Sequence, residues 1–171
     1  VYFGQKHESE QVQLDHPSVT RFTPEGIWVT FTDSQWGHLK NNIQECVDEG
    51  RPVDLLGEGS LHAAGHAMTS VIPDLIICDA NDFTGFSASA MTAFANRPVI
   101  GFYGENGSGL GTIEAIYEKL PQVLRKALEL IESCPCAEGC PSCVQLPGKG
   151  NIELFKPGAK MLLKILIEGI D

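Results

Sequence analysis

The stretch CPCAEGCPSC, residues 134–143, gathers four of the chain's six cysteines into ten positions. Written by spacing, Cys134, Cys136, Cys140 and Cys143 form C-x-C-x3-C-x2-C. A zinc ion takes four soft donors at tetrahedral corners, and one short segment rich in turn formers can fold around it. Pro135, Gly139 and Pro141 supply those turns, and CPSC resembles a knuckle in which backbone N–H groups point at a ligand sulfur. Four protein ligands fill a tetrahedral shell, so the spacing predicts a structural site. An iron–sulfur cluster also uses four thiolates, though its ligands more often come from separated parts of the chain. Disulfides need an oxidising compartment for which nothing in the sequence speaks, and Cys134 and Cys136 are poorly spaced to pair with each other. Cys46 and Cys78 lie in apolar, periodic contexts and read as buried small hydrophobes.

The rest of the chain bounds what such a site serves. At 171 residues it fits one domain able to bury its own core, so the cysteines do not replace one. Hydrophobic residues make up 43% and charged residues 20%, the balance of a globular chain rather than a disordered one. No apolar run approaches the roughly 18 to 20 residues that span a bilayer, so no membrane partner is expected. The opening VYFGQKHESEQ lacks the basic and apolar regions of a secretory signal and reads as a start in mid-chain. A net charge of −10 argues against a globally basic nucleic-acid wrapper. Locally, Lys149, Lys156, Lys160 and Lys164 against Glu153 give residues 144–167 a charge of +3.

Working outward, EGIWVTFTD predicts a strand over 27–32, and EQVQLD upstream is a weaker strand candidate. Asp33 or Ser34 is placed to cap a helix carrying Trp36, Leu39, Ile43 and Cys46 or Val47, ended by Gly50. SLHAAGHAMTSVI predicts a buried helix stopped at Pro73. DLIICD and RPVIGFY read as central strands. IEAIYEKLPQVLRKALELIES keeps helical spacing across Pro121, which favours two helices with Pro121 opening the second, and Thr112 is placed to cap the first. GAKMLLKILIEG predicts a last amphipathic helix. Without a regular βαβ rhythm the class is α+β: a small mixed sheet packed with several helices and a C-terminal four-cysteine zinc knob.

Three further constellations carry possible chemistry. His62 and His66 share a helix face, and with Asp79 and Asp82 they form a candidate secondary metal site, although Ala63 stands where a metalloprotease needs Glu. A Cys78 nucleophile beside one of these histidines is a weaker option in a buried strand. GENGSGLGT leads from strand to helix and fits a simple turn or a phosphate contact, but it is neither G-x-x-x-x-G-K-[ST] nor G-x-G-x-x-G. Lys156, Lys160 and Lys164 recur every four residues and, with Lys149, are candidates for nucleic-acid contact; a solvated lysine face is the plainer reading.

In this order the features resemble the MrfA-like zinc-binding domain at the C-terminus of certain superfamily 2 DNA helicases, among them bacterial mitomycin-repair helicases and fungal RecQ-like helicases. TPEGIWVTF resembles the family's first strand, LHAAGHAM its His-rich helix, and IICDANDFTG the strand and Asp-containing turn that follow. FYGENGSGLGTIEAIYEKL resembles its glycine turn and helix, and CPCAEGCPSCVQ its cysteine signature. The resemblance implies one zinc ion on Cys134, Cys136, Cys140 and Cys143. Gly65 replaces an acidic residue common before the second His, and Gly104, Gly107 and Ser108 replace the usual Asp, Pro and Gly of the turn. LPGKGN lacks a further Cys found in some members.

It implies a single domain over 1–171: an N-terminal strand region at 1–33, an α+β core at 34–132, and the zinc motif with its helix at 133–171. The implied partners are upstream RecA-like helicase domains of the same polypeptide, and DNA. ATP would enter only through those domains, since this chain has no Walker motif and no enzymatic activity is expected of it alone. The implied function is a structural, DNA-handling accessory domain in DNA repair, in the cytoplasm or nucleoid of a bacterium or the nucleus of a eukaryote. The alternatives are a stand-alone metalloenzyme using His62 and His66, or a protein-interaction module with an acidic face.

Overall fold

The computed structural model describes residues 25–48, 50–79, 81–104, 111–146 and 153–169. The expected EQVQLD strand, Lys149 and most of the glycine turn lie outside the described residues. The elements run β1 (Gly26–Thr30), α1 (Asp33–Cys46), α2 (Val53–Leu75), β2 (Phe83–Met91), a 3-10 turn (Thr92–Phe94), β3 (Arg97–Gly104), α3 (Thr112–Glu118), α4 (Leu120–Ser133) and α5 (Lys156–Glu168). The class is α+β. The three strands lie in the order β1-β3-β2, and where a mixed sheet was expected both pairings are antiparallel.

The β2–β3 connection turns on Ala95 and Asn96, both at positive φ (55° and 57°). Ile27 and Val29 of β1, with Ile100 and Phe102 of β3, face the helices and join the core. The opposite face carries Trp28, Phe86 and Tyr103, with Trp28 packed on Phe94 at 4.9 Å between ring centroids.

Thr32, not Asp33 or Ser34, caps α1. Its hydroxyl accepts from the Gln35 N–H at 3.1 Å, and the Gln35 side chain accepts from the Thr32 N–H at 3.0 Å. That reciprocal pair satisfies two otherwise orphaned donors. Helix α2 is longer at both ends than the expected one. It starts at Val53 and carries Pro73 in its last turn, where the missing N–H costs a single helical bond. DLIICD is therefore not a strand: Asp74 and Leu75 finish α2, Ile76 bonds back to Ile72, and Ile77 is fully exposed. The Lys119 ammonium donates to the Leu75 carbonyl at 2.7 Å and closes that helix end.

Strand β2, over Phe83–Met91, was not expected from the sequence. Gly85, Ser87 and Ser89 along its inner face are small, which lets α2 lie close: a Cβ on Gly85 would meet Thr69 Oγ1 at 2.6 Å. Pro121 occupies the first turn of α4, as expected, so α3 and α4 are separate helices. Gly111, at φ 88°, caps α3 instead of Thr112. Helix α5 crosses α2 on glycines: a Cβ on Gly59 would strike the Glu153 carbonyl, and one on Gly158 would strike Ser60. The core lies between these helices and the sheet, with Leu61, Met68, Leu124, Ile131 and Leu162 fully buried.

Candidate metal centre

Helix α4 ends at Ser133, and the next ten residues wrap the four thiols together. Their Sγ atoms all lie within 4.8 Å of one another. Cys134 is 3.5 Å from Cys136 and from Cys140, Cys143 is 3.5 Å from Cys136, and Cys140 is 3.7 Å from Cys143. A tetrahedron with Zn–S of about 2.3 Å has edges of about 3.8 Å, so the hole fits one tetrahedral ion. All four are free cysteines rather than disulfides, and sulfurs this close leave no room for the body of a multi-iron cluster between them.

The turn is built around the Cys140 carbonyl, which accepts from the N–H groups of Cys143, Val144 and Gln145 at 3.0–3.2 Å. The knuckle bond runs from the Cys140 N–H to Cys143 Sγ at 3.4 Å. Gly139 sits at φ 111°, and a Cβ there would collide with Val144. That position therefore needs glycine twice over, for its backbone and for its space.

Without a metal, the Cys136 and Cys143 thiols shift in opposite directions. Burial opposes ionisation of Cys136, but the Lys156 ammonium and its sulfur neighbours overcome this and bring its thiol down to about 6. Burial first, then hydrogen bonds from its own protonated form to Cys136, Cys140 and Cys134, push Cys143 up to about 12. A depressed folded-state value means the Cys136 thiolate favours the fold above the ordinary thiol range, a contribution lost as pH falls through about 6. The raised value of Cys143 favours the fold at lower pH and is lost on alkalinisation. After chelator treatment at pH 7, limited iodoacetamide labelling read by peptide mass spectrometry is expected to modify Cys136 before Cys143.

The lysine row divides. Lys156 is 7% exposed and turns inward. Its Nζ donates to the carbonyls of Cys134 (2.8 Å) and Cys136 (2.5 Å) and to Cys136 Sγ (3.2 Å). Burial opposes its charge, yet the Cys136 sulfur, with Cys143 and Cys134 behind it, holds it above the usual lysine value. The expected nucleic-acid contact at Lys156 is thereby corrected, because this ammonium is committed to the cysteine turn. Lys160 and Lys164 reach Glu132 at 3.0 and 3.2 Å across to α4. Their hydrogen bonds hold the Glu132 carboxyl below its ordinary range.

His62 and His66 do share a face of α2, with ring centroids 4.2 Å apart. His62 Nδ1 meets Ser87 Oγ at 3.0 Å, and the buried His66 meets the Val144 carbonyl at 2.8 Å through Nδ1. Asp79 and Asp82 are elsewhere, closing a turn on each other at 2.8 Å beyond the end of α2. From Asp82 to Ser87 is five strand residues, about 17 Å. Among the described residues the four cysteines are the one group of three or more such ligands drawn together, so the His/Asp secondary site is not assembled. His66 instead ties α2 to the cysteine turn.

The two remaining cysteines depart from the buried reading. Cys46 is exposed and Cys78 half-buried. Burial first, then Asp82 and Asp79, raise the Cys78 thiol, which disfavours a nucleophile there.

Fold and site together define a small α+β domain with four cysteines gathered as a zinc-binding group. A family model described as the MrfA Zn-binding domain matches residues 64–144, a span that includes His66 and all four clustered cysteines. An uncharacterised protein of Methanocaldococcus jannaschii is 33% identical over 97 residues, covering 56% of this chain and 87% of that protein. The chain belongs to the MrfA Zn-binding domain family. The ATP-dependent helicase hrq1 of Schizosaccharomyces pombe is 34% identical over 170 residues, covering 90% of this chain and 15% of the helicase. YprA of Bacillus subtilis, an ATP-dependent helicase by name, is 27% identical over 113 residues, 66% of this chain and 14% of that one. A crystal structure of the helicase MrfA bound to DNA matches with a TM-score of 0.56 and 29% identity over 70% of this chain and 16% of that one. A second, bound to DNA and AMPPNP, shares the fold at a TM-score of 0.53 and 20% identity, covering 81% of this chain and 15% of that one. The chain thus spans a small fraction of the helicases it matches.

Proposed function

We propose that this domain is the structural, DNA-handling accessory module of an ATP-dependent DNA helicase that works in DNA repair, held by one zinc ion on Cys134, Cys136, Cys140 and Cys143. The observation that carries the reading is the convergence of four thiols on a hole of tetrahedral size, within a family whose matched helicases are several times longer. When bound, zinc supplies four bonds that cross-link the end of α4 to the turn ahead of α5, with no coordination position left open. ATP belongs to RecA-like domains of the same polypeptide, and an intracellular location follows from that assignment. The repair role rests on the resemblance to mitomycin-repair helicases.

DNA contact is supported by the DNA-bound relative and by Lys160 and Lys164, the two lysines of the row that are not committed to the cysteine turn. Each phosphate a lysine neutralises steepens the dependence of log affinity on log salt by about 0.9. In the full-length polypeptide, Lys160→Gln with Lys164→Gln is expected to flatten that slope by about 2. The check is DNA affinity across a salt series. An unchanged slope would assign both lysines to Glu132 alone and favour a protein-interaction module.

A further inference from the structure

Resting on the zinc reading above, we propose that Lys156 is a positioning residue of the metal centre: an internal counter-cation that sets the Cys134–Cys136 limb in place before the metal arrives. Lys156 sits in the first turn of α5, 20 residues after Cys136, yet its ammonium reaches two carbonyls and one sulfur of that limb. An ammonium has three donors, and these three acceptors use all of them. The side chain is 7% exposed, so its charge is justified by what it touches rather than by water.

Charge accounting gives the group its purpose. Four thiolates around a divalent ion leave a net charge of −2, and one buried ammonium halves it. The N–H to Cys136 Sγ also draws electron density from one ligand, and such partners outside the ligand set orient the ligands and tune the metal. The bonds to the Cys134 and Cys136 carbonyls fix the backbone on both sides of Pro135, so the two sulfurs nearest α4 are aimed without the metal's help. The same three bonds join the start of α5 to the centre, and the packing of α5 on α2 thereby becomes linked to metal retention.

The test uses the purified chain loaded with zinc, with Lys156→Met, Lys156→Gln and Lys156→Arg compared with the parent. Zinc release to an excess of a chromogenic chelator is expected to accelerate at least about tenfold in Lys156→Met. Lys156→Arg, which keeps the charge, is expected to recover part of the loss. In the cobalt-substituted protein, losing the hydrogen bond to Cys136 raises the sulfur lone pair, so the thiolate-to-cobalt charge-transfer band is expected to move to longer wavelength in Lys156→Met and Lys156→Gln. Leu163→Ala, a core change in the same helix, is expected to lower stability without moving that band.

A readout in the parent protein covers the case in which these variants do not fold. The Lys156 ammonium protons should be seen by nitrogen-15 NMR at neutral pH, protected from exchange with water. A parent chain that binds one zinc while Lys156→Met keeps the parent's release rate and cobalt band would overturn the role of Lys156 and leave the zinc centre standing. Absence of the protected ammonium signal would overturn it as well. A parent chain that binds no zinc would overturn the reading beneath it.

Discussion

Cys140→Ser is expected to strip the domain of its metal and release the segment from Ser133 to the start of α5. A hydroxyl is a poor replacement for a thiolate on zinc, and three ligands cannot close the shell. The Lys156 and His66 bonds hold the two sides of the turn, and the thiolates are what would join them through the ion. Structural zinc sites supply on the order of 10 kcal/mol of folding free energy in small modules. Here that energy acts on Cys143 and Val144, both buried, and through the Val144 carbonyl on His66 of α2. The expected result is zinc content falling from about one per chain to near zero, with new protease cleavage between residues 134 and 155. A metal-free variant as protease-resistant as the parent would show that the cysteines do not support the fold.

The second large effect is expected at the α2–α5 crossing. Gly59→Ala and Gly158→Ala each put a methyl group where another atom already lies. At Gly59 the obstacles are the Glu153 carbonyl and the Phe155 N–H, which bonds the Gly59 carbonyl at 3.2 Å; at Gly158 they are Ser60 and Phe155. Alanine gains up to about 1 kcal/mol of helix propensity over glycine. Overpacking costs typically about 1–3 kcal/mol, and here it meets backbone that cannot swing aside at Gly59. A net loss of about 2 kcal/mol is expected for Gly59→Ala, measured by urea unfolding. Gly158→Ala is expected to lose less, and Ser60→Gly added to it should recover part of the loss because the two sites share one obstacle.

The four-cysteine cluster was legible because its information is local: residue type, spacing and turn formers all fall within ten residues. Helices α1 and α4 and most of α5 were legible for a related reason, since their apolar stripes repeat within a few turns. Strand β2 was not, because beyond Phe83 its inner face is Gly85, Ser87 and Ser89, small enough for the close approach of α2 and poor in the branched residues that mark strands. The apolar DLIICD competed for the same assignment, and only the continuation of α2 through Pro73 removes it. The first turns of α2 were hidden likewise: Gly57 and Gly59 suggest a turn but meet Trp36 and Glu153 across helix contacts.

Lys156 was misread from a rule that was too coarse. At roughly 100° per residue, a spacing of four drifts by about 40°, so Lys156, Lys160 and Lys164 fan across about 80° of the helix. Lys156 falls about 20° from Leu163, at the margin of the buried stripe formed by Ala159, Leu162, Leu163 and Leu166. A lysine on an apolar stripe, 13 positions after the last clustered cysteine, was the available signal. His66 carried no comparable signal, because its partner is a backbone carbonyl 78 residues away.

We propose a closed four-thiolate zinc centre that pins α4, α5 and α2. Its most direct test is metal analysis of the purified chain by native mass spectrometry, with thiol accessibility before and after chelation. One zinc per chain and no iron absorbance are expected, with the four clustered thiols protected until chelation while the exposed Cys46 reacts freely. A folded chain carrying no metal, or carrying iron, would contradict it.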